Sequence, residues 1–140
     1  MSDLLSWLAA NPFTTLLLLG AAALVGLWLT RRYQPISAAE AGQRVEDGQT
    51  CFLDVRTPGE VAGGAIPGAV HVPVPQLRQQ LDDLRERVGD GPVVVYCHSG
   101  IRGASAAYLL ARKGFREVYN LRGGIVAWRH QGLPVTGGHE

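Results

Sequence analysis

The pattern of apolar and polar positions divides the chain into two unlike parts. No charged side chain occurs from Leu4 to Thr30, and residues 13–30 (FTTLLLLGAAALVGLWLT) are apolar on every side of a helix. At about 1.5 Å per residue, this stretch is long enough to cross the hydrocarbon core of a bilayer. After it, short apolar runs alternate with charged residues, which is typical of a globular domain. The pattern therefore predicts one long apolar helix followed by one small folded domain.

Within the second part, the pattern predicts strands that alternate with helices. Strands are expected at the β-branched, apolar runs 51–55, 69–72, 93–96 and 118–121. Helices are expected from the capping pattern at Ser37 to about Asp47, over 75–88 and 102–113, and around Trp128. This alternation favours an α/β fold in which helices cover both faces of a mainly parallel sheet. Ligands of such sheets bind outside the carboxyl ends of the strands.

We interpret residues 1–33 as a membrane anchor with a transmembrane helix at about 12–30. A secretory signal peptide normally opens with basic residues, whereas the only charged residue before Arg31 is Asp3. A buried helix of a globular domain would be unusually long and apolar on every face. A membrane span therefore fits best, and membrane lipid is the expected partner of residues 12–30.

The basic residues beside the span predict its orientation. Arg31 and Arg32 follow it directly, and the tail before it has no Lys or Arg. The positive-inside bias then predicts that the C-terminal domain, residues 34–140, lies in the cytoplasm and that the N-terminus lies outside. Gln34 and Pro35 are expected to form a very short linker, which would hold the domain close to the membrane and to any partner protein there.

The charge and the cysteine content of the domain exclude several classes of function. All 13 basic residues and 11 of the 12 acidic ones lie from Arg31 onward, so the domain is nearly neutral. This balance and the absence of a recognisable motif argue against nucleic acid as a partner. Two cysteines are too few for a disulfide framework, and the histidines lack the spacing of metal ligands, so neither a metal nor a cofactor is expected. Cys51 is expected to be a small core residue, with a resolving role toward Cys97 as the alternative.

One cysteine stands where a buried strand gives way to a helix. Cys97 follows the run 93–96 (VVVY) and opens the sequence CHSGIR, after which an alanine-rich helical stretch begins. Backbone N–H groups of this loop and of the first helical turn can converge on its sulfur and favour the thiolate, the nucleophilic form. We therefore take Cys97 as the candidate catalytic residue. The substrate-binding candidates are the residues that follow it: His98, Ser99, Gly100, Ile101, Arg102 and Gly103.

Four motifs in this order resemble those of the rhodanese family. They are Asp54-Val55-Arg56 with Glu60, the turn 64–69 (GAIPGA), the loop 97–102 (CHSGIR), and 121–124 (LRGG) with Trp128. The resemblance runs from about Pro35 to Pro134. It departs from the family pattern at Ala65, where a histidine is usual, and at Val61, where an aromatic residue is common. Neither position belongs to the loop of Cys97.

The resemblance implies a compact domain with a five-stranded parallel core and a cysteine that carries sulfur as a persulfide. The outer sulfur of Cys–S–S⁻ is anionic and needs several converging N–H donors, which residues 99–103 can supply. Arg102 adds a positive charge suited to a small anionic sulfur donor. His98 is not needed as a base, and its contact with substrate is left open. Asp54, Arg56 and Glu60 are expected to brace the loop, with substrate positioning as the alternative.

The leading hypothesis is a membrane-anchored sulfurtransferase of the thiosulfate sulfurtransferase class. It would move sulfane sulfur from thiosulfate, a polysulfide or a persulfide to a thiol, cyanide or a protein acceptor. One alternative is a docking module for a membrane partner with little catalysis. Another is a cysteine phosphatase or arsenate reductase; those loops, by resemblance, have five residues between cysteine and arginine, whereas only four separate Cys97 from Arg102.

Overall fold

A computed structural model describes residues 2–30 and 32–137, and the chain divides into two compact units between residues 31 and 32. The first unit consists of helices α1 (Ser2–Ala10) and α2 (Pro12–Thr30). Its stretch Pro12–Leu29 has a mean hydropathy of 1.9 and no buried part. Length and composition make this helix a candidate membrane span, although a signal sequence has the same properties. Arg31, half of the basis for the predicted orientation, lies outside the described residues.

The second unit alternates short strands with helices, as predicted. Its strands are β1 (Gln34–Ile36), β2 (Cys51–Asp54), β3 (Val70–His71), β4 (Pro92–Tyr96) and β5 (Glu117–Leu121). Its α-helices are α3 (Ala38–Arg44), α4 (Pro58–Ala62), α5 (Leu81–Val88), α6 (Ile101–Arg112) and α7 (Gly124–His130), with 3₁₀ turns at Val45–Asp47 and Val74–Gln80. The strands form one parallel sheet in the order β1-β5-β4-β2-β3. The predicted α/β fold with a five-stranded parallel sheet is confirmed.

The central strand β4 is buried on both faces because its side chains alternate between two cores. Val93 and Val95 belong to the core under α5 and α6, whereas Val94 and Tyr96 belong to the core that contains Trp128. These four side chains are completely buried. Each such residue stabilises the fold by about 1.5–3 kcal/mol. The strand that leads into Cys97 is therefore held rigidly from both sides.

The structure differs from the sequence-based expectations at three short segments. The prediction that Gln34 and Pro35 form a linker is wrong, because Gln34–Ile36 pairs with β5 as an edge strand, where a proline is tolerated. The five-residue helix α4 was not expected. The predicted helix 75–88 begins as a 3₁₀ turn and becomes α-helical only at Leu81.

The two cysteines lie at opposite ends of neighbouring strands. Cys51 pairs in register with Val93, four residues before Cys97. At about 3.3 Å per residue, the two cysteines are on the order of 13 Å apart. A disulfide needs Cα atoms within about 7 Å of each other. The geometry therefore excludes Cys51 as a direct resolving partner of Cys97 in this conformation.

Candidate active site

Cys97 is the first residue after the central strand, and only 1% of its surface is exposed. Its Sγ accepts a hydrogen bond from the backbone N–H of Gly100 at 3.0 Å. Gly100 has a φ of +107°, and a Cβ there would lie 3.3 Å from the backbone nitrogen of Gly123. Only glycine adopts this conformation without strain, so Gly100 allows the loop to turn its N–H toward the sulfur.

The carbonyl groups of the loop are held by the first turn of α7. The N–H of Ile125 donates to the Cys97 carbonyl at 2.9 Å, and the N–H of Val126 donates to the His98 carbonyl at 3.2 Å. In a trans peptide the N–H points away from the carbonyl. Holding these carbonyls against α7 therefore turns the N–H groups of His98 and Ser99 away from it.

Gly124 permits this close approach of α7 to the loop. Its φ is +61°, and a Cβ would lie 2.5 Å from the Cys97 carbonyl oxygen and closer still to that of His98. The motif at 121–124 forms the turn from β5 into α7. It also provides the surface against which the loop that begins at Cys97 (residues 97–103, the cysteine loop) is packed.

Arg102 forms an ion pair with Glu60, which lies 42 positions earlier in the chain. Its two terminal nitrogens donate to the two carboxylate oxygens at 2.7 and 2.8 Å. This bidentate pair lowers the pKa of Glu60 to about 2, chiefly through the hydrogen bonds from Arg102, and it raises the pKa of Arg102. The cation expected at the rim of the site is therefore present but shared with a carboxylate, a pairing that the sequence did not indicate.

Asp54 and Arg56 form a second, buried ion pair at the end of β2. Arg56 donates to both carboxylate oxygens of Asp54, and both side chains are at most 3% exposed. The same guanidinium donates to the Gly64 carbonyl at 2.7 Å and to the Glu60 carbonyl at 3.3 Å. The buried pair thus fixes the backbone that carries Glu60, and Glu60 in turn orients Arg102.

Glu60 also stabilises the short helix on which it lies. The side chain of Thr57 accepts the Glu60 N–H, and the Glu60 carboxylate accepts the Thr57 N–H at 3.1 Å, which together form a capping box. The sequence carries the S/T-x-x-E signal of this helix from Thr57 to Glu60. One carboxylate therefore closes the helix end and anchors the arginine of the cysteine loop.

The remaining loop residues differ in exposure. His98, Ser99 and Ile101 are exposed, whereas Gly103 is buried in the first full turn of α6. His98 borders an open depression of about 400 Å³, together with residues of α4, α7 and their flanks: Arg56, Gly59, Glu60, Gly63, Ile125, Val126 and Arg129. Of the loop residues that the structure describes, His98 is the one that lines this depression. Among the described residues, no cluster of three or more His, Cys, Asp or Glu side chains could hold a metal ion.

The sequence profile of the rhodanese-like domain matches residues 37–131, well over half of the chain. The chain belongs to the rhodanese-like family. A sulfurtransferase from Allochromatium vinosum is 39% identical to this rhodanese-like protein over 102 residues, covering 72% of this chain and 92% of the relative. A crystal structure of a rhodanese-related protein from Thermoplasma volcanium superposes with a TM-score of 0.68 at 30% identity, covering 75% of this chain and 99% of the other.

The rhodanese-like domain also matches parts of longer proteins. The tRNA uridine(34) hydroxylase of Erwinia tasmaniensis is 34% identical over 107 residues, covering 71% of this chain but only 31% of the enzyme. The chain thus spans less than a third of that relative. Together, the family and its sulfurtransferase member support a sulfurtransferase-type function for this protein.

Proposed function

We propose that this protein is a sulfurtransferase in which Cys97 carries sulfane sulfur as a persulfide. The observation that carries the proposal is the setting of the Cys97 sulfur. It is buried at the end of the central strand and accepts the N–H of Gly100 at 3.0 Å. Donors already aimed at a sulfur stabilise negative charge there without reorganisation.

The reaction consists of two displacements on sulfur. The Cys97 thiolate attacks the outer sulfur of thiosulfate, and a Cys–S–S⁻ bond forms while the sulfur–sulfur bond of thiosulfate breaks. The electron pair of that bond leaves with sulfite. An acceptor thiolate or cyanide then attacks the outer sulfur of the persulfide, takes it as a new persulfide or thiocyanate, and returns the Cys97 thiolate. Neither step needs a proton transfer from His98.

The surroundings of the loop favour a small anionic donor. Arg129 borders the depression beside the loop, and the carboxylate there, Glu60, is neutralised by Arg102. Positive charge at the mouth of a site raises the local concentration of anions. Thiosulfate, polysulfides and small persulfides are all anionic and share this attraction.

The position of Arg102 favours sulfur transfer over phosphatase or arsenate reductase chemistry. In phosphatase or arsenate reductase chemistry, the arginine of the loop would pair with the oxygens of the substrate held in the loop. The Arg102 guanidinium is bound at both terminal nitrogens by Glu60, and the loop is one residue shorter than the phosphatase pattern. A single anionic sulfur needs only the N–H donors of the loop.

For the location we propose that α2 anchors the protein in a membrane with the domain in the cytoplasm. The support is the mean hydropathy of 1.9 over Pro12–Leu29 and Arg32 just after the helix. A protease added outside intact cells would then leave the domain uncut. Cleavage of the domain under those conditions would contradict the orientation.

The chemistry is tested by intact mass spectrometry of the full chain in detergent after incubation with thiosulfate or a polysulfide. The wild-type protein should gain the mass of one sulfur atom, and cyanide should remove it as thiocyanate. Cys97→Ser should gain none, whereas Cys51→Ala, the matched cysteine control, should gain as much as wild type. No gain on wild type, or an equal gain on Cys97→Ser, would overturn the proposal. Hydrolysis of a general phosphatase substrate would support the alternative instead.

A further inference from the structure

Asn120 connects strand β5 to the cysteine loop. Its side-chain Nδ2 donates to the Gly100 carbonyl at 3.1 Å, and the residue is only 8% exposed. Its Oδ1 is buried and accepts no hydrogen bond from any described residue. The amide orientation follows from chemistry, because the reversed amide would place its oxygen against the Gly100 oxygen.

Stability of the fold does not account for this side chain. A buried amide oxygen without a partner destabilises a protein, and a β-branched apolar residue would suit the strand better. The Gly100 carbonyl also accepts the N–H of Ala104 at 3.1 Å, so it would keep a partner if Asn120 were removed. A polar group that lowers the stability of the fold points to a role in the site.

The hydrogen bond from Asn120 acts on a glycine of the loop. Gly100 supplies the N–H that reaches the Cys97 sulfur, and its φ of +107° is one of several conformations open to glycine. Fixing the Gly100 carbonyl removes much of this freedom. It also turns the N–H of Ile101, on the other side of the same peptide, away from Asn120.

Gly103 shows how closely Asn120 fits against the start of α6. A Cβ at Gly103 would overlap Oδ1 of Asn120. Only a residue without a side chain leaves room for the amide at this point. The loop is therefore held at its Gly100 carbonyl, and the same amide lies against the helix turn that follows.

We propose that Asn120 is a positioning residue that holds the Gly100 peptide so that the cysteine loop stabilises the anionic outer sulfur of the Cys97 persulfide. This inference rests on the proposed sulfurtransferase function. Asn120 does not contact the sulfur itself, so it should affect the rate of sulfur loading and leave binding of the donor unchanged.

The test measures sulfur loading of the full chain by thiosulfate as a function of donor concentration, together with thermal unfolding. In Asn120→Val, the maximal loading rate should fall about tenfold, less than the hundredfold or more lost when a donor that touches the anion is removed. The thiosulfate concentration for half-maximal rate should stay within about twofold, because the donor does not meet Asn120. Asn120→Ser provides a smaller polar variant should Val fit poorly against Gly103.

The matched control is Val118→Ala, which truncates a buried residue on the same strand and the same face, two positions from Asn120. It should lower the unfolding temperature and leave the loading rate unchanged. Wild-type loading rates in both Asn120 variants would overturn the inference. So would an equal slowing in Val118→Ala, or failure of both Asn120 variants to fold, which would make the residue structural. If wild type itself takes up no sulfur, it is the proposed function that fails.

Discussion

Replacing Gly124 with alanine tests the packing of α7 against the cysteine loop. Gly124 has a φ of +61°, and an added Cβ would lie 2.5 Å from the Cys97 carbonyl oxygen. The loop backbone would have to move away from the helix. The two hydrogen bonds from Ile125 and Val126 to the loop carbonyls would then lengthen or break.

The expected cost is the sum of two effects of similar size. Alanine in the left-handed region costs about 1–2 kcal/mol. Losing two backbone hydrogen bonds costs about 1 kcal/mol each. The free energy of unfolding should therefore fall by about 3–4 kcal/mol, a large share of the 5–15 kcal/mol typical of a domain. The sulfur-loading rate should fall about tenfold or more, because the N–H groups of the loop move with its carbonyls.

Gly132→Ala is the matched control for this prediction. Gly132 has a φ of +71°, and an added Cβ would meet no atom within 4 Å. It should pay only the conformational cost of about 1–2 kcal/mol and keep its loading rate. Urea denaturation and the mass assay measure both quantities for both variants. Equal destabilisation and equal loading in the two variants would refute the packing argument.

Three further substitutions test the ion pairs and the second cysteine. Glu60→Gln should lose about 1 kcal/mol of stability at pH 7, because it breaks a partly exposed bidentate pair with Arg102. The pKa of Glu60 is lowered from 4.5 to about 2 in the folded protein. The stability difference between wild type and Glu60→Gln should therefore be fully present above pH 4.5 and be lost as the pH falls through about 2. A stability difference that stays constant in urea titrations over this acid range would contradict the prediction. Arg56→Lys should cost about 3 kcal/mol in urea denaturation, because lysine cannot pair with both oxygens of buried Asp54, and a loss below 1 kcal/mol would argue against a bracing role. Cys51→Ala should leave the rate of sulfur loading at the wild-type value in the mass assay, and a slower rate would give Cys51 a part in the reaction.

The elements that could be predicted from the sequence are those with a strong local pattern. The run Val93–Tyr96 is apolar and β-branched, and it is followed at once by a polar loop with a glycine, so both the strand and the position of Cys97 could be predicted. Strand Gln34–Ile36 has three residues and a proline. Its strand geometry depends on pairing with β5, more than 80 residues later, which no local pattern reveals.

The candidate site shows the same division between local and distant information. The loop 97–103 could be named because its residues are contiguous in sequence. The side chains that hold it come from far away: Glu60 lies 42 positions before Arg102, and Asn120 lies 20 positions after Gly100. The negative charge of Glu60 suggested that it braces the loop, but it did not identify Arg102 as the partner. The sequence around Asn120 does not indicate its role, since the role of an asparagine in a strand becomes clear only when its hydrogen-bond partner is known.

The edge strand β1 has a mechanical consequence. It begins four positions after the apolar helix α2 ends, and it is hydrogen-bonded along β5, with Ile36 in register with Leu121. The N–H of Arg122 also donates to the Ile36 carbonyl, just before the turn that holds the cysteine loop. A pull on the backbone at Gln34 would therefore load the hydrogen bonds between β1 and β5, the strand that carries Asn120.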